Sequence, residues 1–274
     1  MNCRGKTLTL GERTHVMGIL NVTPDSFSDG GKYLDVQQAL DHAKLMVAEG
    51  ATLLDIGGES SRPGASSVST TQELDRVLPV ICAVTDALDV VISVDTSKAE
   101  VARKALEAGA HIVNDITALR GDTNMISVVA EMDAGLILMH MKGTPRTMQK
   151  APQYADVVRD VSAALTESVQ CAEAHGVTAE RIIIDPGIGF GKTTEHNIEL
   201  LKRLSEFRSL NKPLIIGTSR KSFIGNILDL PVTERIEGTV ATVCWAIAHG
   251  VDIVRVHDVK ANVRAVLMTD ALYR

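Results

Sequence analysis

The chain has 274 residues, of which 45% are hydrophobic and 23% charged, as in an ordinary globular protein. Its formal net charge is -6 and only 3% of its residues are aromatic, which argues against a nucleic-acid-binding protein. No apolar stretch is long enough to span a membrane. Residues 1–12 are polar and lack the apolar core of a signal peptide, so the sequence predicts a cytoplasmic protein that binds neither membranes nor nucleic acid.

Eight short apolar runs predict eight buried strands, and a helical pattern follows each of them. The strands are predicted at residues 16–20, 51–56, 90–94, 111–113, 136–139, 181–184, 214–216 and 253–257. The helices are predicted at residues 36–49, 71–87, 99–108, 123–132, 156–175, 195–207, 233–249 and 259–272. Residues 6–10 are predicted to form a small additional strand. Eight such units in about 250 residues favour a closed (β/α)₈ (TIM) barrel over an open doubly wound sheet. No linker divides the chain, so we predict one domain over residues 1–274.

Polar side chains follow most of the predicted strands. In a (β/α)₈ barrel the C-terminal ends of all strands lie on one rim, so these side chains are expected to converge. A mixture of carboxylates, amides and cations there suits a flat heterocycle together with an anion. A single carboxylate such as Asp95 is also typical of a cap for the next helix, and that alternative stays open. The strand-end residues are Asn21, Asp55, Asp95, Asn114, Asp115, His140, Asp185, Ser219–Ser222, Arg255 and His257.

Two hydroxyls and two cations follow the seventh predicted strand, in the order Ser219, Arg220, Lys221 and Ser222. Such a cluster directly after a buried strand is typical of an anion site, and the start of a short helix near Ser222 would add its free N–H groups. A solvated basic turn is the alternative interpretation.

Three other patterns bear on metal, redox or phosphate chemistry. The four cysteines are far apart and predict free thiols. No set of histidine, cysteine and carboxylate residues has structural zinc spacing, and four histidines on or beside helices (42, 175, 196 and 249) are predicted at the surface. The run Asp185–Thr193 ends like a P-loop, but Pro186 stands where that motif needs glycine and offers no N–H to a phosphate.

Four runs together resemble the bacterial dihydropteroate synthase family, over about residue 15 to the C-terminus. These runs are N-V-T-P-D-S-F-S-D-G-G at 21–31, G-G-E-S-S-R-P-G at 57–64, D-P-G-I-G-F-G-K at 185–192 and S-R-K-S at 219–222. The resemblance implies a (β/α)₈ barrel and a homodimer. It also implies a Mg²⁺-dependent step of folate synthesis, in which 6-hydroxymethyl-7,8-dihydropterin pyrophosphate and p-aminobenzoate condense with release of pyrophosphate, and which sulfonamides inhibit. Ser61 departs from the threonine common in enterobacterial members, which implies a modest effect on loop position or drug contacts.

The resemblance also implies roles for individual residues, and each role agrees with the chemistry of the side chain. Asp185 can accept two hydrogen bonds from the pterin edge, and Mg²⁺ prefers an oxygen ligand such as the amide of Asn21. The pterin site would comprise Asp95, Asn114, Ile116, Met139, Asp185, Lys221 and Arg255. The pyrophosphate site would comprise Asn21, Arg62, Ser219, Arg220, Arg255 and His257. The p-aminobenzoate site would comprise Ser61, Arg62, Pro63, Phe190, Lys221 and Ser222.

The implied reaction is SN1-like, in which the C–O bond to pyrophosphate breaks before the arylamine attacks. Asp95, Lys221, Asp29 and Phe27 are then the implied catalytic residues, acting through electrostatics and through glycine-rich loops typical of mobile lids. A related methyltetrahydrofolate:corrinoid methyltransferase is a rival prediction, but it would need no pyrophosphate site. A non-catalytic pterin-binding scaffold is a second rival, and it predicts ligand binding without turnover.

Overall fold

A computed structural model describes residues 1–23, 32–61, 64–65 and 67–274, with residues 32–35 described as backbone only. A small antiparallel hairpin, β1 (Asn2–Cys3) and β2 (Lys6–Thr7), comes first. The barrel strands follow as β3 (His15–Asn21), β4 (Leu53–Gly57), β5 (Val91–Asp95), β6 (Ile112–Asp115), β7 (Gly135–Met139), β8 (Ile182–Asp185), β9 (Ile215–Ile216) and β10 (Ile253–Val256).

The helices alternate with these strands and cover the outside of the sheet. Within the described ranges they are α1 (Lys32–Ala48), α2 (Thr70–Ala87), α3 (Ala99–Glu107), α4 (Met125–Glu131), α5 (Val157–Ala174), α6 (Thr194–Lys202), α7 (Ser222–Leu228), α8 (Ile236–Ala248) and α9 (Val259–Tyr273). Local sequence defines several ends: Ser69 and Gln72 form a capping box before α2, and Asp156 accepts from the first N–H groups of α5. No described helix has the length and apolarity needed to cross a membrane.

The eight strands pair in parallel in the order β8-β7-β6-β5-β4-β3-β10-β9. One further bridge, between Ile184 and Leu214, joins the two outer strands, and the Ile184 N–H donates to the Pro213 carbonyl beside it. The sheet therefore closes into a (β/α)₈ barrel, which confirms the predicted fold class.

Predicted strands and helices differ from the observed ones mainly around β9. The predicted helix over residues 195–207 is wrong as a single element, because α6 ends at Lys202 and a 3₁₀ helix continues from Leu204 to Leu210. Between them Arg203 leaves the helical conformation, with φ of -112° and ψ of 23°. The segment after β9 holds two helices, because α7 begins at Ser222 before the predicted helix that becomes α8.

Side chains inside the barrel lie in layers, because alternate residues of each strand face inward. The lower layer is apolar and buried, and it packs on Cys3 and Leu8 of the N-terminal segment, which closes that end of the barrel. The lower layer comprises Met17, Leu53, Val91, Ile112, Ile137, Ile183, Ile215 and Ile253. Two positions further along each strand the sequence becomes mostly polar, with Asp55, Ser93, Asn114, Asp185 and Arg255. The barrel thus has a stabilising end and a polar end.

Candidate active site

A charged network occupies the polar end of the barrel and is centred on Arg255 of β10. The Arg255 Nε donates to Asp55 Oδ2 at 2.6 Å, and its Nη2 donates to Asp95 Oδ2 at 2.9 Å. Asn114 Nδ2 donates to the same Asp55 oxygen at 2.9 Å. Residues from β4, β5, β6 and β10 are therefore brought together, although Asp55 and Arg255 are 200 positions apart.

Burial controls the charge of this network. The Asp55 side chain is fully buried, and its Oδ1 has no hydrogen-bond partner among the described residues. Burial raises the pKa of Asp95 to about 7, Arg255 opposes that shift, and the negative charge of Asp55 adds to it. Burial also acts against the charge of Arg255, but Asp55 and Asp95 outweigh it and raise the pKa of the guanidinium. One cation is thus shared by two carboxylates in a water-poor site.

The capping alternative for Asp95 does not fit the structure. Helix α3 has Lys98 at its N-cap without a side-chain cap bond, and the Ala99 N–H donates to Asp122 at 2.9 Å. The Asp95 carboxylate instead faces Arg255. Asp95 therefore belongs to the charged network at the mouth of the barrel and does not cap α3.

Asp185 and Lys221 are two further groups at the mouth, and the charge of each affects the pKa of the other. The Asp185 Oδ1 accepts from the Gly187 N–H at 2.7 Å, and the side chain is nearly buried. Burial raises the pKa of Asp185, while the charge of Lys221 lowers it. Burial lowers the pKa of Lys221 to about 8, and Asp185 opposes that shift. Two groups whose pKa values are shifted toward neutrality by burial are typical of a functional site.

An apolar wall stands beside Lys221. The Lys221 Nζ lies 4.6 Å from the centre of the Phe190 ring and donates to the Ile188 carbonyl. Phe190 packs in a small cluster with the partly buried Ile116 and the buried Met139, joined by Met141 and Met148. The predicted pterin and arylamine residues Ile116, Met139 and Phe190 therefore share one surface, which suits flat aromatic rings.

The residues predicted to hold pyrophosphate form two contacts. The Ser219 hydroxyl accepts from the His257 backbone N–H at 3.1 Å and lies 2.9 Å from its ring Nδ1. Arg220 has a left-handed backbone, with φ of 57°, and its guanidinium makes a bidentate pair with Asp258 at 2.9 and 2.5 Å. Asp258 therefore orients Arg220, a role that the sequence did not predict.

The other predicted residues lie around the same rim. Asn21 ends β3 in register with Gly57, and Ser222 is exposed at the first position of α7. Ser61 lines a pocket of about 310 Å³ together with Asp95 and Ile116. Phe27, Asp29, Arg62 and Pro63 lie outside the described residues.

Metal binding by the protein alone is not supported in the described part of the chain. There, no three histidine, cysteine, aspartate or glutamate residues come together in a way that could hold an ion. The amide of Asn21 can supply one oxygen, which fits Mg²⁺ held mainly by the phosphates of a substrate.

Two contributors were missed because their roles depend on three-dimensional contacts. Asp55 was recognised as a strand-end carboxylate, but its position under Arg255 requires the closed barrel. Lys192 was considered only as part of a rejected P-loop, yet its side chain is 2% exposed and its Nζ lies among backbone carbonyls. A lysine after three alternating glycines was the available signal.

The arrangement combines paired acceptors, shared cations and an apolar wall in one mouth. It can bind a flat ring with several N–H groups, hold an anion beside it, and stabilise positive charge that develops on the ring.

Comparison with known proteins finds matches that cover nearly the whole chain. Residues 17–257 match the model of the family described as pterin binding enzyme. Dihydropteroate synthase of Synechocystis is 52% identical over 272 residues, covering 98% of this chain and 94% of that protein.

Two solved structures are also similar. A Yersinia pestis dihydropteroate synthase with a sulfonamide drug complex has a TM-score of 0.94 and 46% identity, covering 99% of this chain and 98% of that one. A Xanthomonas albilineans dihydropteroate synthase with 4-aminobenzoic acid has a TM-score of 0.93 and 44% identity, covering 98% and 96%. The chain therefore belongs to the pterin-binding enzyme family, and within it to the dihydropteroate synthases.

Proposed function

We propose that the protein catalyses the condensation of 6-hydroxymethyl-7,8-dihydropterin pyrophosphate with p-aminobenzoate, giving 7,8-dihydropteroate and pyrophosphate. The observation that carries this proposal is the buried network in which Arg255 bridges Asp55 and Asp95, beside Asn114 and Asp185. Membership in the dihydropteroate synthases supports it, and so does the binding of a sulfonamide and of 4-aminobenzoic acid by two structural relatives.

The pterin occupies the polar layer of the barrel. Asp185 accepts from the ring N–H and amine, while Asn114 both donates and accepts beside it. Lys221 donates to the ring carbonyl, and Asp95 accepts from a further ring N–H. The Gly187 N–H donates to Oδ1 of Asp185, which leaves Oδ2 to accept from the pterin and supports this assignment.

The leaving group lies toward β9 and β10. Ser219, Arg220 and His257 stand together there, with Asp258 holding the Arg220 guanidinium. Arg255 spans the two halves, because it meets Asp55 and Asp95 at one edge and its planar group can contact the pterin face and a phosphate. Arg62 is assigned to the same anion by the family resemblance.

Mg²⁺ is proposed as the cofactor, with Asn21 as a protein ligand. The cation supplies positive charge to the leaving pyrophosphate when it is bound. The chain's own residues complete the neutralisation through Arg220 and Arg255. Replacing Asn21 with Ala is expected to raise the Mg²⁺ concentration needed for half-maximal activity, and the same midpoint in both proteins would remove Asn21 from the metal site.

The reaction breaks the C–O bond to pyrophosphate and forms a C–N bond to the arylamine, which then loses one proton to solvent. The ionised Asp95 and Asp185 stabilise the positive pterin that forms as the C–O bond breaks, because both carboxylates lie in a site of low water content. The arylamine is uncharged at neutral pH and needs no strong base. Phe190 and Lys221 wall its position, and Ser222 faces its carboxylate.

An assay of pyrophosphate release tests the proposal. Wild-type protein with the pterin pyrophosphate, Mg²⁺ and p-aminobenzoate should release pyrophosphate and form dihydropteroate, and omission of p-aminobenzoate should abolish dihydropteroate formation. Sulfonamides should inhibit by competing with p-aminobenzoate. Ligand binding without turnover would favour a scaffold, and methyl transfer from methyltetrahydrofolate would favour the related methyltransferase.

A homodimer and a cytoplasmic location are also part of the proposal. Exposed apolar side chains on and next to α7, α8 and α9 support the homodimer: Ile227, Val232, Trp245, Leu267 and Met268. Sedimentation velocity should give twice the monomer mass of 29.4 kDa. A monomer at all concentrations used in the assay would contradict the homodimer.

A further inference from the structure

Lys192 belongs to the loop between β8 and α6, and no role in the reaction proposed above uses it. Its side chain is 2% exposed. Its Nζ donates to the carbonyls of Gly187 at 2.9 Å, Phe190 at 3.0 Å and His140 at 3.3 Å. It also lies 3.0 Å from His140 Nδ1. Three backbone carbonyls and an imidazole therefore surround one amine.

Glycines shape the loop that supplies two of these three carbonyls. Gly187, Gly189 and Gly191 all have positive φ, at 68°, 83° and 66°. The left-handed backbone at every second residue curls the loop, and two of its carbonyls, those of Gly187 and Phe190, face the Lys192 Nζ. A Cβ at Gly187 would stand 1.9 Å from the His140 carbonyl oxygen, so that position requires glycine. The run that resembles a P-loop thus presents carbonyls toward an amine, whereas a P-loop presents N–H groups toward a phosphate.

His140 is suited to accept the remaining contact. Burial, and next the charge of Lys192, lower the pKa of His140 to about 2, so the imidazole is neutral and its Nδ1 can accept. His140 also donates its backbone N–H to the Asp185 carbonyl at 2.9 Å. Lys192 therefore ties the loop after β8 to the residue that follows β7.

Two of the residues around Lys192 face the substrate sites. Gly187 donates to the Asp185 carboxylate, and the ring of Phe190 lies beside Lys221. Asp185 belongs to β8 and is fixed by the sheet. Phe190 lies five residues beyond the end of β8. Its backbone N–H donates to the Gly187 carbonyl, and its own carbonyl accepts from the Lys192 Nζ. The position of Phe190 thus depends on Lys192 more than the position of Asp185 does.

We propose that Lys192 is a positioning residue, which holds Phe190 and thereby orients the arylamine substrate against the pterin. This proposal rests on the proposed function, in which Phe190 walls the arylamine. Lys192 acts through its hydrogen bonds to backbone carbonyls and contacts neither substrate.

The test compares Lys192→Met, which keeps the apolar stem of the side chain and removes its donors, with a matched control, Lys212→Met. Lys212 is also nearly buried and donates to a backbone carbonyl, that of Ala179, but it precedes β9 at the opposite end of the barrel. For Lys192→Met we expect the KM for p-aminobenzoate to rise about tenfold or more, because a misplaced wall weakens orientation. The KM for the pterin pyrophosphate should stay within about threefold, and Lys212→Met should change neither.

Fluorine NMR provides a readout that does not need turnover. The protein has four phenylalanines, and 4-fluorophenylalanine labelling gives one signal for each, with Phe190→Leu used to assign one of them. In Lys192→Met the Phe190 signal should move or broaden, whereas the signals of the buried Phe207 and Phe223 should not. Equal rises in both KM values together with movement of all signals, or an unchanged KM for p-aminobenzoate, would overturn the proposal.

Lys192→Gln keeps two N–H donors on a shorter side chain and decides the question if Lys192→Met does not fold. It should show a smaller rise in the KM for p-aminobenzoate and a correspondingly smaller movement of the Phe190 signal. Failure of both variants to fold, with Lys212→Met folded, would assign Lys192 to stability alone and refute the proposal. Wild-type protein that releases no pyrophosphate would refute the proposed function, while the fluorine spectra would still decide whether Lys192 holds the Phe190 ring.

Discussion

Asp185 is the residue on which pterin recognition depends most directly, because a carboxylate there can accept from two neighbouring donors. Asp185→Asn would place a donor against a donor in a nearly buried site, at a cost of about 1–3 kcal/mol in binding free energy. Calorimetry with the pterin pyrophosphate measures this loss. Asp115→Asn is the control, because that buried carboxylate caps its own loop through Thr117 and Leu119. Equal affinity in wild type and Asp185→Asn would refute the assignment.

Asp95 is expected to act on turnover more than on ground-state binding. Its carboxylate gains most when positive charge develops on the pterin, so Asp95→Asn should lower kcat by about 10²–10³. Steady-state kinetics checks this, and a kcat within about threefold of wild type would remove Asp95 from the catalytic residues.

The pH profile follows from two neighbouring pKa values. Asp95, with a pKa of about 7, becomes charged as pH rises, and Lys221, with a pKa of about 8, loses its charge as pH rises further. We therefore expect kcat/KM for the pterin pyrophosphate to rise through about pH 7 and fall above about pH 8. Asp95→Asn should lose the acid limb and keep the alkaline one. An acid limb that persists in that variant would assign it to another group.

The loop after β8 illustrates how one backbone position controls an element. Gly187→Ala should lower the free energy of unfolding by more than about 1 kcal/mol, because a Cβ would meet the His140 carbonyl. Gly5→Ala is the control, since Gly5 also has positive φ but nothing within 4 Å of its Cβ position. Chemical denaturation measures both. Equal losses would mean that the left-handed backbone alone, and not the contact with His140, sets the cost.

The elements of the barrel could be predicted because each strand is a continuous apolar run and several helices are followed by a glycine. The split of the predicted helix at Arg203 could not, because nothing in the local pattern marks that residue. The pairing of Arg255 with Asp55 and Asp95 was equally hidden, since it depends on which strands become neighbours when the barrel closes. The motifs therefore indicated candidate residues at the strand ends, while the hydrogen bonds among them could be seen only in the folded structure.

At the scale of the whole molecule, stability and activity are expected to separate along the barrel axis. Leu8→Ala removes an apolar side chain that packs on the lower layer and should cost about 2–5 kcal/mol of stability. Its kcat, measured well below its melting temperature, should match wild type, because the mouth lies at the other end. A large fall in kcat without unfolding would show that the two ends are coupled.

The charge at the mouth should also affect the stability of the whole fold. The pKa of Asp95 rises from an ordinary 3.8 in the unfolded chain to about 7 in the folded one, so between these values the folded state binds a proton that the unfolded state has released. Stability from this group therefore falls as pH rises from about 4 to 7. The stability of Asp95→Asn relative to wild type should be greater at pH 8 than at pH 5, by roughly 1–3 kcal/mol in chemical denaturation. A difference that does not change with pH would contradict the raised pKa.

The closure of the sheet has a consequence for how ligands and hydrogen exchange are linked. In the described part of the chain a single bridge pair, Ile184 with Leu214, joins β8 to the start of β9, and β9 itself has only two residues. This is the shortest strand pairing in the barrel. Asp185 is the last residue of β8, and Lys221 follows β9. A pterin that contacts both residues would add a link between β8 and β9. Bound substrate should therefore slow amide exchange in β8 and β9 more than in β3 and β4, where the ladder is long.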